Sequence, residues 1–424
     1  MKVTICGAGN AAQTLIALLA ADQTANVTVY APLADEAERL TRAMQPDGLC
    51  AMFPGGSRFC GIATMVTADA QPAGVDADLV LLALPAFAHE AVLRALAPHL
   101  PEKAWIVALP ARGGFDLLTQ EVLGGRRQPA MATSHVICGL QTLPWACRIR
   151  KWGVVVDVLG AKRAVDIAVW PRAYAEEAAA RLSALIHAPL MPIDNFLALT
   201  LANTGQIIHP GIMYGLFHRW NGALFSASEI PLFYGGVDGE TAEVLAAMSA
   251  EVLAVRDAVA QEAPHLDLSS VVDVQTWLLD AYAEQIEDKR SLQAAFTSNR
   301  AYAGLIAPMT QVGDDAFAPA FNSRYLAEDV PYSLLVTRGI AALAGVETPM
   351  IDRVICWAQE KLNRQYLIGG RVAGRDIAAS HAPQRFGIDT LAQLAARTGE
   401  WRPENGDWRL KSRERASFKP QAQN

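Results

Sequence analysis

The chain opens Val3-Thr4-Ile5-Cys6-Gly7-Ala8-Gly9-Asn10-Ala11-Ala12, followed by an Ala/Leu-rich run over residues 13–21. A short β-branched strand, a glycine turn and a segment of good helix propensity stand in that order. Gly7-x-Gly9-x-x-Ala12 puts glycine where the turn is tight and again where backbone approaches a pyrophosphate. A small residue then stands where helix packs on strand. The helix amino terminus presents unpaired N–H groups to phosphate oxygens. Gly7, Gly9, Asn10 and Ala12 are therefore candidate cofactor-binding residues. A lone glycine hexapeptide is a weak signal; this one follows the first strand and begins a βαβ unit.

Working outward, residues 27–30 form a second strand and residues 33–44 a helical pattern, which completes that unit. Residues 79–84 and 105–109 are apolar throughout, as strands buried on both faces of a parallel sheet are. Each run ends in a proline, Pro85 or Pro110. That places a loop at the carboxyl edge of the sheet, where open α/β folds bind ligands, so both prolines join the cofactor candidates. Residues 154–158 and 164–169, around Gly160, read as a β-hairpin. A helix over 172–186 and a strand over 190–193 close the first domain. Beyond Asp194 strand patterns become rare, and residues 196–206, 242–260, 270–285, 332–344 and 350–361 carry helical apolar spacing. The expected fold is an α/β Rossmann-type dinucleotide-binding domain over 1–195, followed by an all-α domain over 196–400. The charged, aperiodic residues 401–424 read as a flexible tail.

Composition agrees. The 424 residues exceed what one core holds, and 52% hydrophobic against 19% charged residues describes a globular chain. The net charge of −7 comes without a basic block, which argues against nucleic-acid binding. The first apolar run is too short for a secretory or membrane segment, so a cytoplasmic protein is expected. The six cysteines show no paired spacing. Neither a disulfide framework nor a metal site is expected, and most cysteines read as small buried hydrophobes. At the tip of the second strand, Tyr30-Ala31-Pro32 offers neither the usual ribose-binding acid nor a cation for a 2′-phosphate. The nearest carboxylate is Asp35, and Arg39 and Arg42 read as a solvated helix face. NAD is the expected cofactor.

Longer motifs carry a family likeness. Leu84-Pro85-Ala86-Phe87-Ala88-His89-Glu90, Thr142-Leu143-Pro144-Trp145-Ala146-Cys147-Arg148, Pro231-Leu232-Phe233-Tyr234-Gly235-Gly236, Asn322-Ser323-Arg324-Tyr325-Leu326-Ala327-Glu328-Asp329 and Pro383-Gln384-Arg385-Phe386-Gly387 occur in that order. They closely resemble the octopine dehydrogenase branch of the opine dehydrogenases, from the first strand to about Gly387. The resemblance implies a Rossmann domain and a helical domain with the active site between them. It also implies a reaction in which a 2-keto acid, with pyruvate favoured, and an amino acid condense and are reduced by NADH. Family members differ in oligomeric state, so a monomer or a homodimer is expected.

Such a condensation needs a group that takes a proton from an ammonium and later gives one to a departing hydroxyl near neutral pH, which is histidine chemistry. Of eight histidines, His209 in Gln206-Ile207-Ile208-His209-Pro210 matches the family's acid/base motif. Asp329 matches its partner carboxylate, although an aspartate there also suits a helix cap. Arg324 matches a bidentate clamp on a substrate carboxylate. By the same resemblance Thr142 and Cys147 lie near the keto acid, with a plain buried thiol as the alternative for Cys147. Trp277 matches an aromatic that encloses the amino acid, against a simple core role. His89 reads as structural. The chain departs from many family members in having Gly205, not asparagine, one turn before His209. A ketopantoate-type or 2-hydroxyacid reductase shares this architecture but commonly uses a helical-domain lysine, and residues 196–209 contain none. A non-catalytic NAD sensor would have lost the His/Asp/Arg set.

Overall fold

The structure, a computed structural model, describes residues 1–21, 25–124 and 134–398. Twelve strands build the first half: β1 (Lys2–Cys6), β2 (Asn26–Tyr30), β3 (Leu49–Met52), β4 (Arg58–Gly61), β5 (Met65–Thr67), β6 (Leu79–Leu82), β7 (Trp105–Ala108), β8 (Val136–Leu140), β9 (Trp145–Lys151), β10 (Val155–Ala161), β11 (Val165–Trp170) and β12 (Leu190–Pro192). Among them run α1 (Asn10–Ala21), α2 (Glu36–Met44), α3 (Ala70–Gly74), α4 (Ala86–Leu96), α5 (Phe115–Gly124) and α6 (Ala175–Ile186). The main sheet has the order β12-β11-β8-β7-β6-β1-β2-β5 and is parallel except where β11 meets β8. The chain leaves β1 for β2 on one side and returns to β6 on the other. This reversal opens a crevice at the carboxyl ends of β1 and β6, the usual ligand position in such sheets. The apolar β6 and β7 are buried along their whole length, as expected for strands covered on both faces.

A second sheet, β4-β3-β10-β9, covers the other side of α1. This explains why α1 is buried nearly all round and is apolar all round. The fit is tight: a Cβ on Gly61 would stand 2.4 Å from the backbone carbon of Ala20. The sequence reading missed most of this sheet and misassigned its turn. Residues 155–161 and 165–170 do not pair with each other. β10 pairs with β9, and β11 lies in the main sheet. The turn glycine is Gly153, at φ +71 with α2 packed against it, whereas Gly160 sits inside β10 at a register shift. Glycine within a strand marks a bulge as readily as a turn. The disulfide expectation is also corrected. Cys50 and Cys60 stand directly opposite on β3 and β4 and are bonded, with their Cα atoms 4.1 Å apart. Ten residues of separation say nothing about pairing until the strand register is known.

After β12 the chain is mainly helical: α7 (Phe196–Leu201), α8 (Gly205–Phe217), α9 (Gly239–Glu262), α10 (Val274–Ala281), α11 (Leu292–Thr297), α12 (Arg324–Ala327), α13 (Leu335–Ala344), α14 (Pro349–Lys361) and α15 (Leu391–Thr398). Two short hairpins interrupt it. The architecture is therefore the expected α/β half followed by a helical half. One hydrophobic core joins them: Phe115 and Leu118 of α5 share a buried cluster with Leu197, Val336 and Leu394. The tail over 401–424 lies outside the described residues.

The two turn glycines differ in what surrounds them. Gly7 has φ +114, and a Cβ there would stand 2.9 Å from the Ala83 carbonyl oxygen; a Cβ on Gly9 meets nothing within 4 Å. Gly7→Ala is therefore expected to cost about 1–3 kcal/mol of folding stability, whereas Gly9→Ala stays within about 0.5 kcal/mol. Chemical denaturation of both variants checks this, and equal losses would contradict it.

Candidate active site

Helix α8 begins where Asn203 accepts a hydrogen bond from the Gly205 N–H at 3.1 Å. One turn on, the imidazole of His209 is mostly enclosed. Its Nδ1 lies 2.7 Å from Asp329 Oδ2, and the Tyr234 hydroxyl lies 3.4 Å from Nε2. The Tyr325 ring stacks on its face with centroids 4.2 Å apart. Donation from Nδ1–H to the carboxylate fixes the tautomer in which Nε2 carries the lone pair.

Asp329 is fully buried and heads a π-helical turn, Val330–Leu334, in which the Leu334 N–H bonds to the Asp329 carbonyl at 2.9 Å. Its side chain makes no cap bond, so the helix-cap reading falls away. Burial alone would raise its pKa. Arg112 first and His209 second outweigh that and hold the carboxyl below the ordinary value. Arg112 Nη1 approaches Asp329 Oδ1 at 3.1 Å, and its Nε donates to Glu328 Oε1 at 3.3 Å. The same Glu328 oxygen accepts the Ala86 N–H at 3.1 Å, the first N–H of α4, whose cap residue Pro85 has no polar side chain to offer. Thus the loops after β6 and β7, flagged by Pro85 and Pro110, both reach one acid pair in the helical half.

Arg112 and Glu328 were not singled out from the sequence. Their signals were present, since Arg112 follows Pro110 by two residues and Glu328 adjoins Asp329. What pairs them is contact across 216 residues, which no local pattern encodes. Arg324 opens α12 and is exposed, and its guanidinium forms no hydrogen bond or ion pair among the described residues. Its charge favours the ionised forms of both Asp329 and Tyr234, although burial still holds the tyrosine hydroxyl above its ordinary value. Trp277 connects to this site through rings: Trp277 meets Tyr282 edge-on, Tyr282 meets Tyr302, and Tyr302 stacks on Tyr234 at 3.9 Å. Thr142 is half-buried on the loop between β8 and β9. Cys147 is not brought into the His209 group. Along β9 the side chains of Trp145 and Cys147 are buried while Ala146 and Arg148 are exposed, and the Cys147 thiol meets Thr14 on α1. Strand alternation turns it into the nucleotide half's own core.

In the nucleotide half the glycine turn fits a dinucleotide. The first helical bond of α1 is Gln13 N–H to the Gly9 carbonyl at 2.9 Å, so the N–H groups of Asn10, Ala11 and Ala12 lie beyond the helix's own bonding. Gly9 leaves open space in front of them. The Asn10 side chain is already engaged, its Oδ1 accepting the Ile149 N–H at 2.8 Å, and Ala12 is a buried packing residue. Arg39 pairs with Asp35 and lies over Trp152, while Arg42 pairs with Glu38, so neither cation stands unpaired for a 2′-phosphate.

A dinucleotide cradle in one half, and a buried histidine–carboxylate pair in the other that is tied to the nucleotide half through Arg112, are the parts of a nicotinamide-dependent oxidoreductase. Comparison with known proteins makes the class specific. The family model for the NAD/NADP octopine/nopaline dehydrogenase α-helical domain matches residues 192–362, and that for coenzyme F420-dependent NADP oxidoreductases matches residues 2–110. Octopine dehydrogenase of Mizuhopecten yessoensis is 39% identical over 92% of this chain and 97% of its own length. A solved octopine dehydrogenase with NADH and L-arginine is 35% identical, with a TM-score of 0.84 over 95% of this chain and all of that one. Another, with NADH and pyruvate, is 34% identical with a TM-score of 0.82 over the same shares. The chain belongs to the octopine dehydrogenase family, NAD-dependent oxidoreductases that act on the CH–NH bond of an opine and form it by reductive condensation.

Three buried titratable groups lie behind the site. His89 bonds to the Leu84 carbonyl oxygen at 3.1 Å and is pushed down to about 4, mainly by burial. His381 bonds to the Gly113 carbonyl oxygen at 3.0 Å and is pushed down to about 3, again by burial first. Asp116, buried with Oδ2 unpartnered among the described residues, is pushed up to about 7. His89 is thus structural, as read from the sequence. Between pH 6.5 and 4 the unfolded chain binds two histidine protons that the fold refuses, while the fold keeps one Asp116 proton that the unfolded chain releases. The net is one extra proton on the unfolded state, so these groups make stability fall on acidification by about 1.4 kcal/mol per pH unit. Asp116→Asn removes the offset, and its stability should fall about twice as steeply in urea unfolding at pH 6 and 5; an unchanged slope would contradict the assignment.

Proposed function

We propose that this chain condenses pyruvate with the amino group of an amino acid and uses NADH to reduce the product to an N-(carboxyalkyl)amino acid. The observation that carries this reading is the His209–Asp329 pair at 2.7 Å, with Nε2 left for substrate and Arg324 unpaired beside it. In this reading Nε2 removes a proton from the substrate ammonium. The amine nitrogen attacks the keto carbon, the C=O π bond opens, and a proton passes from that nitrogen to the oxygen, which becomes a hydroxyl. The imidazolium, stabilised by Asp329, then protonates that hydroxyl, which leaves as water. Bound NADH supplies the hydride that reduces the resulting imine. Arg324 holds a substrate carboxylate through its planar fork, and Thr142 offers a hydroxyl to the keto acid from the nucleotide side. Gly9 and the α1 N-terminus hold the pyrophosphate, with the Pro85 and Pro110 loops beside the nicotinamide.

The catalytic division falls at residues 195/196, the protein works in the cytoplasm, and it acts as a monomer or homodimer. Gly205 bears on the choice of amine. A Cβ there would stand 3.1 Å from Asn203 Oδ1, 3.5 Å from Arg112 Nη1 and 3.8 Å from His209 Nδ1, so a side chain at this position would have to displace the chain's own polar groups around the imidazole. The amine pocket therefore differs from that of family members with asparagine at this position.

His209→Ala should lower turnover roughly 10²–10⁴-fold with NADH affinity nearly unchanged. Asp329→Asn should act in the same direction, and the double variant should cost much less than the product of the singles because the two side chains work as one unit. Multiplicative losses would separate the pair, and a fully active His209→Ala would remove the mechanism. An NADH-oxidation screen of amino acids, taurine and β-alanine with pyruvate tests the reaction itself. Oxidation is expected only when keto acid and amine are both present, and NADH should be used in strong preference to NADPH. Oxidation with a keto acid alone would point instead to a 2-hydroxyacid reductase.

A further inference from the structure

An arginine lies beside the carboxylate that serves His209, where its charge competes with the imidazolium for that carboxylate. Arg112 has 7% of its surface exposed, Glu328 has 5% and Asp329 has none. Burying a cation and two carboxylates is unfavourable unless their arrangement does something a hydrophobic replacement would not. Arg112 Nη1 stands 3.1 Å from Asp329 Oδ1, yet not along an N–H direction, and that oxygen has no hydrogen bond among the described residues. The contact is therefore one of charge. Glu328 takes the true hydrogen bond from Arg112 Nε and also the Ala86 N–H.

We propose that Arg112 and Glu328 are positioning residues that together set how much of the Asp329 charge His209 feels, and that anchor this balance to the two loops beside the nicotinamide. Arg112 draws on the same carboxylate that stabilises the imidazolium, and so opposes protonation of His209. Glu328 neutralises part of Arg112 and so favours it. Because Arg112 rides on the loop after β7 and Glu328 caps α4 after β6, the placement of those loops enters the acid/base behaviour of the histidine. The other groups facing the cluster are Arg324, which acts on Asp329; Tyr234 and Tyr325, which touch the imidazole; His89, which feels Arg112; and Tyr332, which feels Glu328. None of them exchanges a hydrogen bond with Arg112 among the described residues, so Glu328 and Asp329 are its direct partners.

The inference rests on the proposed role of His209, but its test does not need turnover. The imidazole of His209 in the full-length, NADH-bound protein can be titrated by NMR, with its signal assigned by loss in His209→Ala. Arg112→Gln removes a cation and should raise the His209 titration point by about one unit or more. Glu328→Gln keeps the acceptor for Arg112 and Ala86 but removes the charge, and should lower it by a similar amount. Arg112→Lys, which keeps the charge, should leave it near the wild-type value. Opposite shifts from the two glutamine variants are what a merely structural role would not produce. Shifts in the same direction, or none in variants whose circular dichroism is native, would overturn the inference. If Arg112→Gln does not fold, the near-isosteric Glu328→Gln still decides, because an unmoved titration there is sufficient to reject it. Absence of turnover alongside the expected shifts would reject the proposed reaction and leave this charge balance standing.

Discussion

The burial of the Asp329 carboxylate is the constraint on which the rest of the site depends. An ionised group with no exposed surface demands compensation from every direction. His209 supplies it from α8, at the start of the helical half, and Arg112 supplies it from a loop of the nucleotide half. The carboxylate is therefore a point where the two halves must meet in one geometry. The continuous apolar core across α5, α7, α13 and α15 makes that meeting rigid enough to hold contacts near 3 Å. Nothing comparable would be required of a protein that only bound a nucleotide.

Much of this was legible from local pattern. The Val3–Ala12 turn, the two apolar strands that run into Pro85 and Pro110, and the change to helical spacing after Asp194 each follow from side-chain period and turn chemistry. They led to an α/β half followed by a helical half, which is what the structure has. His209 and Asp329 were found through motif resemblance, and the structure brings them together at 2.7 Å. The misses share a different cause. The β9–β10 hairpin, the Cys50–Cys60 bond and the Arg112–Glu328 contact all depend on which distant segments lie side by side. The inward turn of Cys147 depends on which face of β9 packs against α1. A glycine can serve a turn or a bulge, and a cysteine can line a cleft or a core. Only pairing decides.

The aromatic groups show the same division. Tyr234 and Tyr325 stand inside motifs quoted from the sequence, yet their work against the imidazole, one at its Nε2 and one on its face, is a property of three chain segments converging. Together they strip water from the histidine on all sides except the cleft, which strengthens each electrostatic contact it makes. Among the described residues the ring contacts that tie Trp277 to the same point run through Tyr282 and Tyr302, so an effect of its replacement carried by them would be transmitted and not direct.

The π-helical turn that follows Asp329 has a geometric consequence of its own. Its Leu334-to-Asp329 bond spans five residues where an α-helix spans four. One residue more than the regular repeat is stored there. Deleting Pro331, the residue of Val330–Leu334 that an α-helix interior rejects, would let the segment relax toward a regular α-helix. Everything on its amino-terminal side would then turn by about 100° around the axis. Asp329 would swing off the imidazole while Arg324, Glu328 and the whole of α12 moved with it. The azimuth of the acid is thus written in residue count, not in side-chain chemistry, and it is a coordinate that no point substitution reaches.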